Sequence, residues 1–227
     1  MNTHKSAKSP LVITSPRLPG LRALAMTALA VLLAGCLGGG QPGRMADQYA
    51  LDYLPIVPQE IVMLPEAITV ERFSTAQLYS TTAMVYQEEP YQRNQYLFHH
   101  WRVYPADLVT DCMVRDLRNS AMFRGVFSYR SAESSRYRLA GAVEEFQEFG
   151  GKEERQAVLS LNITLFDSAR QELPDQLLFQ KNYRIVEPLE GETPRDLAQG
   201  MSRAVAKASE LLLTDIYKAV RAAREGK

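Results

Sequence analysis

The sequence predicts an α+β fold: a mostly antiparallel sheet with two helices packed on one face, in a single domain. Three observations predict it. The stretch QAVLSLNITLFD, residues 156–167, alternates apolar and polar positions. Short polar connections join it to strand-like stretches on either side, which implies an antiparallel meander. Two helical stripes, one after Pro105 and one after Pro194, supply cover for one face of that sheet.

Along the chain, YALDYLP places Tyr49, Leu51 and Tyr53 at period two and predicts a strand. AITVERF, around Ile68 to Phe73, predicts a second. AMVYQ and QYLFHHW predict two more, flanking a polar turn at Glu88–Asn94. Pro105 then opens a helix, because its missing N–H is not needed in the first turn. Leu108, Val109, Cys112, Met113 (or Asp116), Leu117 and Met122 approximate one apolar stripe, so Cys112 falls on the buried face. FRGVF predicts a glycine-broken turn into a short strand.

RYRLAGAVEEFQEF predicts a strand, and GGKEE a turn after it. In the next strand Ala157, Leu159, Leu161, Ile163 and Leu165 point one way, while Ser160, Asn162 and Thr164 point the other. SARQELPD turns the chain again, and QLLFQKNYRIV is the last strand. The terminal helix begins with Thr193 as cap, Pro194 in the first turn and Asp196 three residues after the cap. Leu197, Met201, Val205, Ala208, Leu212, Ile216 and Ala219 keep helical spacing. The exposed sheet face and any open edge are candidate contact surfaces for a partner or a second copy of the chain.

The front of the chain carries an address. Its first 22 residues hold Lys5, Lys8, Arg17 and Arg22 and no acid. The apolar run Ala23–Ala34 is too short for a membrane span, which needs about 20 residues, and fits the core of a secretory leader. Leu33-Ala34-Gly35-Cys36 resembles the bacterial lipobox, in which the cysteine becomes the first mature residue and is acylated on sulfur and on its new amino group. The resemblance implies a leader over residues 1–35 and a lipid attachment at Cys36. A glycine-rich tether, residues 36–47, and one domain, residues 48–227, follow. Two or more acyl chains hold a protein stably at a membrane. Leu37 stands where that sorting pattern uses aspartate for inner-membrane retention, so the pattern implies the outer membrane, facing the periplasm.

Four of the 26 basic residues precede Cys36 and none of the 26 acids does, so the remainder is four units acidic. That argues against a nucleic-acid partner, which calls for a basic surface. With Cys36 acylated, Cys112 has no partner for a disulfide within the chain.

Catalytic chemistry finds little support. His99 and His100 are neighbours in a predicted strand and point to opposite faces, and no third histidine follows Cys36. The serines lack a G-x-S-x-G frame. Glu144 and Glu145 are adjacent strand residues and so face apart, which rules them out as a geometric acid/base pair. FGGKEE joins two strands and so reads as a hairpin turn, with no phosphate-binding role. Asn162-Ile-Thr falls inside a strand. Cys112 sits on an apolar helix face, where an inert buried thiol is expected. The sequence therefore predicts no catalytic residue, no metal and no cofactor.

QYLFHHWRVYPADLVTDCMVRDLRNSAMFRGV resembles the central segment of the ABC-type transport auxiliary lipoproteins, the paraquat-inducible lipoprotein C group among them. The resemblance rests on Trp101 closing an aromatic strand, on Pro105, Leu108 and Leu117 of the helix, and on Met122-Phe123 to Val126. It continues through Tyr137, Leu139, Val143 and Phe146, the alternating AVLSLNITLFD and the alanine-rich last helix. One departure is WRVYP, basic and apolar where the family carries an acidic residue. The resemblance implies a non-catalytic accessory and docking role in intermembrane transport of lipid or another hydrophobic substrate. Its implied partners are ABC permease and ATPase components and MCE-domain proteins. Two other readings stand beside it: a different envelope-assembly lipoprotein, of the lipopolysaccharide-export or cell-wall-synthase-activator type, and a periplasmic hydrolase relying on His99 or His100.

Overall fold

The computed structural model describes residues 45–57, 61–133, 135–151 and 154–225. The leader, Cys36 and residues 36–44 of the tether lie outside them. Among the described residues, the strands are β1 (Asp47–Tyr49), β2 (Leu64–Val70), β3 (Ser74–Thr75), β4 (Ala83–Gln87), β5 (Asn94–Trp101), β6 (Phe123–Ser128), β7 (Tyr137–Phe149), β8 (Gln156–Asp167) and β9 (Leu177–Pro188). The helices are α1 (Pro105–Asn119), α2 (Leu173–Gln176) and α3 (Pro194–Glu225).

The sheet corrects the expected architecture. It is a mixed sheet of nine strands curled into a half-barrel, with three helices, not a mostly antiparallel sheet under two helices. The meander β7-β8-β9 is antiparallel, as the short connections require. Every other pairing except β4 with β5 is parallel. The reason lies in β7. One of its edges pairs with β8 along its length. The other edge is shared in turn by β2 at Tyr137–Leu139, β3 at Ala142–Val143 and β4 at Glu148–Phe149. These partners come from far earlier in the chain. Residue alternation reports which face a side chain takes, but says nothing of a distant neighbour or its direction.

Two local expectations also change. Of YALDYLP only Tyr49 belongs to a strand. Pro55 can donate no ladder hydrogen bond, and the segment instead lies across the helices with Leu51, Tyr53 and Ile56 against the core. FRGVF is strand throughout: Gly125 sits inside β6 opposite Ala67, and the turn comes earlier, at Ala121, which is left-handed with φ 51°.

The core is continuous. Val109, Cys112, Met113 and Leu117 of α1 meet Leu139, Val143 and Phe146 of β7 and the apolar row Leu159, Leu161, Ile163 and Leu165 of β8. From α3, Leu197, Met201, Val205, Ala208, Leu212 and Ile216 are buried in the same cluster. Trp101 is buried edge-on to Phe146, ring centroids 5.0 Å apart. The start of α3 is a reciprocal cap: Asp196 Oδ2 accepts from the Thr193 N–H at 2.9 Å, and the Asp196 N–H donates to Thr193 Oγ1 at 3.3 Å. Gly141 faces the Phe73 ring so closely that a Cβ there would lie 2.8 Å from it.

Candidate functional site

The strand path has two ends, β6 at one and β5 with its short partner β1 at the other. Along the β6 edge, α1 brings a row of arginines. Arg115 and Arg118 are three residues apart on the helix and so share a face. With Asp111, Asn119, Ser128 and Arg130 they line a groove of about 330 Å³ beside the strand. Arg124 is exposed on β6 itself.

The arginines are unequally engaged. Arg115 Nε donates to Asp116 Oδ1 at 3.0 Å, and its guanidinium lies 4.1 Å from the Tyr53 ring centroid. Arg118 Nε donates to the Val126 carbonyl at 3.3 Å. Arg130 lies 3.9 Å from Asp111 and is widely exposed. A guanidinium carries five N–H donors, so Arg118 and Arg130 retain several toward the groove. The result is a cationic edge on a domain whose sequence after Cys36 is acidic. An extended acidic segment could add to β6 there, with backbone hydrogen bonds for affinity and the arginines for charge complementarity.

Beneath this edge sits a buried polar knot. Asp116 is fully buried on α1. Its Oδ2 accepts from the Tyr53 hydroxyl at 2.6 Å and from Ser209 Oγ of α3 at 2.7 Å. The Asp52 N–H donates to Ser202 Oγ at 3.0 Å, and the Val62 N–H to the Tyr217 hydroxyl at 3.1 Å. The segment after β1 is thereby strapped over α1 and α3 by side chains where ladder bonds are absent. The stripe Val109-Cys112-Asp116 hinted at Asp116 in the sequence, but Tyr53 and Ser209 are too distant in the chain to be paired by inspection.

The sequence candidates fall elsewhere. His99 Nδ1 shares a hydrogen bond with the Tyr49 hydroxyl at 3.1 Å, while His100 Nε2 lies 3.3 Å from the Leu97 carbonyl oxygen. Among the described residues no cluster of three or more His, Cys, Asp or Glu side chains is arranged to hold a metal. Glu144 and Glu145 do not face apart. A bulge between Val143 and Glu145 lets Glu144 reach Asn182 Nδ2 at 2.7 Å while Glu145 takes Arg184 Nε at 2.7 Å. Cys112 is buried, and burial pushes its thiol up to about 11. Sequence reasoning missed the arginine edge. The visible signal was four arginines, at 115, 118, 124 and 130, within sixteen residues.

Comparison with known families decides the identity. The family model of the ABC-type transport auxiliary lipoprotein component matches residues 49–212. The chain belongs to that family. The match to this auxiliary lipoprotein runs from the last residue of β1 into α3, so it includes β6, α1 and the Asp116 knot. Among solved structures, a protein of the DUF330 family from Xanthomonas campestris has a TM-score of 0.71 at 17% identity, covering 79% of this chain and 99% of that one. An uncharacterised protein has a TM-score of 0.61 at 14% identity, covering 76% and 99%. Both show that the fold is shared. No curated protein matches the auxiliary lipoprotein at a significant level. The family is an auxiliary component of transport, and no enzyme family is indicated. No helix among the described residues is long and apolar enough to cross a membrane.

Proposed function

We propose that this protein is a non-catalytic docking lipoprotein, held at the outer membrane through an acylated Cys36 and facing the periplasm. It serves an ABC transport system that moves lipid or another hydrophobic substrate between membranes. The β6 edge engages an acidic, extended segment of a transporter component, of the MCE-domain or permease kind. The observation that carries this reading is the arginine groove of α1 beside the edge of β6 that no strand among the described residues pairs. The family assignment and the lipobox at Leu33–Cys36 support the anchored, transport-linked setting.

The reading divides the molecule by role. The leash at residues 36–47 holds the domain (residues 48–227) to the membrane, and the half-barrel presents β6 outward. Neither role needs a nucleophile, a metal or a cofactor. A photo-crosslinking residue placed at Phe127 of β6 tests the contact in living cells. Recovery of an MCE-domain or permease component as the adduct is the expected result. Adducts confined to the same probe moved to Gln180 of β9, with none at Phe127, would overturn the assignment of the surface.

A further inference from the structure

A second recess lies where the last turns of α3 flank the start of β2. Val62, Leu64, Tyr217, Arg221, Arg224 and Glu225 line a cavity of about 370 Å³. It shares no lining residue with the arginine groove of α1. Tyr217, Arg221 and Arg224 stand at i, i+4 and i+7 of α3 and so share one flank of the helix. The unpaired carbonyls of the last turn point along the helix axis, off this flank. Leu64 is buried and Val62 is 72% exposed, so the strand side of the recess is apolar from base to rim.

The helix side offers three donors. The Val62 N–H donates to the Tyr217 hydroxyl at 3.1 Å, which leaves that hydroxyl its own proton to donate. Arg221 Nη2 donates to Glu225 Oε1 at 3.0 Å, and Arg224 Nε lies 3.4 Å from Glu66 Oε1. Each guanidinium carries five N–H donors, so both keep donors for a ligand. Glu66 is held from its other side by Arg136 at 3.2 Å. The Arg221–Glu225 pair is exposed on both partners, where such a pair contributes little. An oxyanion therefore displaces Glu225 from Arg221 at small cost.

We infer that this recess binds a single-chain amphiphile through an oxyanion head, a phosphate or a carboxylate. The head takes Arg221, Arg224 and the Tyr217 O–H, because a guanidinium fork matches such oxyanions in both charge and geometry. The chain leaves along Leu64 and Val62, where its burial is favourable. The volume is at the small end of ligand pockets, which run from about 300 to 1,000 Å³. It holds the head and the first part of the chain, and the rest passes out over Val62. A cationic head meets two arginines and is refused. The inference does not rest on the docking role of β6.

The test irradiates the full, processed chain in phosphatidylcholine nanodiscs with decyl phosphate that carries a diazirine on its chain. Adducts are mapped by peptide. Saturable labelling of the peptides holding Val62–Leu64 and Tyr217–Glu225 is expected, competed by unlabelled decyl phosphate. Inorganic phosphate or decyltrimethylammonium at the same concentration should not compete. Arg221→Gln with Arg224→Gln should cut the labelling at least about tenfold, and Val62→Glu should cut it several-fold. Glu225→Gln should strengthen it, because the competing carboxylate is gone. All four positions are exposed, so circular dichroism should be unchanged. Labelling that does not saturate, or that the arginine double variant leaves unchanged, overturns the proposal. Competition by inorganic phosphate as strong as by decyl phosphate would mark a site for the free anion and overturns it. Competition by decyltrimethylammonium would mark partition by the chain alone and overturns it too. A Glu225→Gln protein that labels more weakly than the parent does the same.

Discussion

The Tyr53 hydroxyl donates to Asp116 Oδ2 across 2.6 Å, and this one bond ties the segment after β1 to the buried side of α1. Asp116 is fully buried, and its remaining capacity is taken by Ser209 and Arg115. A buried carboxylate is tolerable only while it is paired and hydrogen-bonded. The knot therefore couples the leash end of the molecule to the helix that carries the arginine edge.

Removing the centre of the knot is expected to be severe. Asp116→Ala leaves the Tyr53 and Ser209 hydroxyls and the Arg115 guanidinium without their acceptor, and costs about 3–5 kcal/mol. Tyr53→Phe removes one donor of three and costs about 1–2 kcal/mol. Urea denaturation of both variants checks the order. A Tyr53→Phe protein as unstable as Asp116→Ala would place the strain elsewhere.

Acid sensitivity should trace to Asp167. Arg136 donates to both of its oxygens, at 2.9 and 2.8 Å, and the Ala169 N–H donates at 3.2 Å. These donors, Arg136 first, hold its carboxyl below the ordinary value. A depressed native pKa means stability that is present above the unfolded value, about pH 4, and is lost as pH falls through the native one. Asp167→Asn should be less stable than the parent at pH 7, with the gap closing as the pH drops below about 4. A gap that stays constant down to pH 2 would contradict the linkage.

Cys112 should be silent in the native protein. Its thiol is buried and pushed up to about 11 by that burial, and the thiolate is the reactive form. A thiol reagent at pH 8 should find no reactive group in the folded, processed protein and one after unfolding. Two groups after unfolding would mean that Cys36 is not acylated.

Gly141 should resist replacement although glycine is ordinarily unfavourable in a strand. A Cβ there meets the buried Phe73 ring at 2.8 Å. Gly141→Ala is expected to destabilise the fold by about 1–3 kcal/mol through overpacking, read as a lowered denaturation midpoint. A stabilised variant would show that the ring can move aside.

The sequence made the local features legible and hid the distant ones. Alternation in β8 and the short turns around it revealed the β7-β8-β9 meander, because both signals are local. The Thr193-to-Asp196 spacing revealed the cap of α3 for the same reason. The parallel partners of β7 were hidden, since Leu139 gives no sign that its neighbour is Val70. The Glu144 bulge was hidden because one extra residue changes facing without changing composition. Of the site, the arginines were visible one by one, but the net acidity of the sequence after Cys36 masked their concentration at one edge.

In the proposed function, the β6 edge and its arginine groove form the docking surface. The most direct measurement is the affinity of the purified, processed protein for the periplasmic part of an MCE-domain component of its transport system. The parent protein is to be compared with the Arg118→Glu, Arg130→Glu double variant. Both positions are exposed at the groove and outside the Asp116 knot, so folding should be unchanged by circular dichroism. The parent is expected to bind with an affinity that weakens with salt, and the double variant to lose at least about tenfold, or 1.4 kcal/mol. Equal affinity of the two proteins for that component would contradict it.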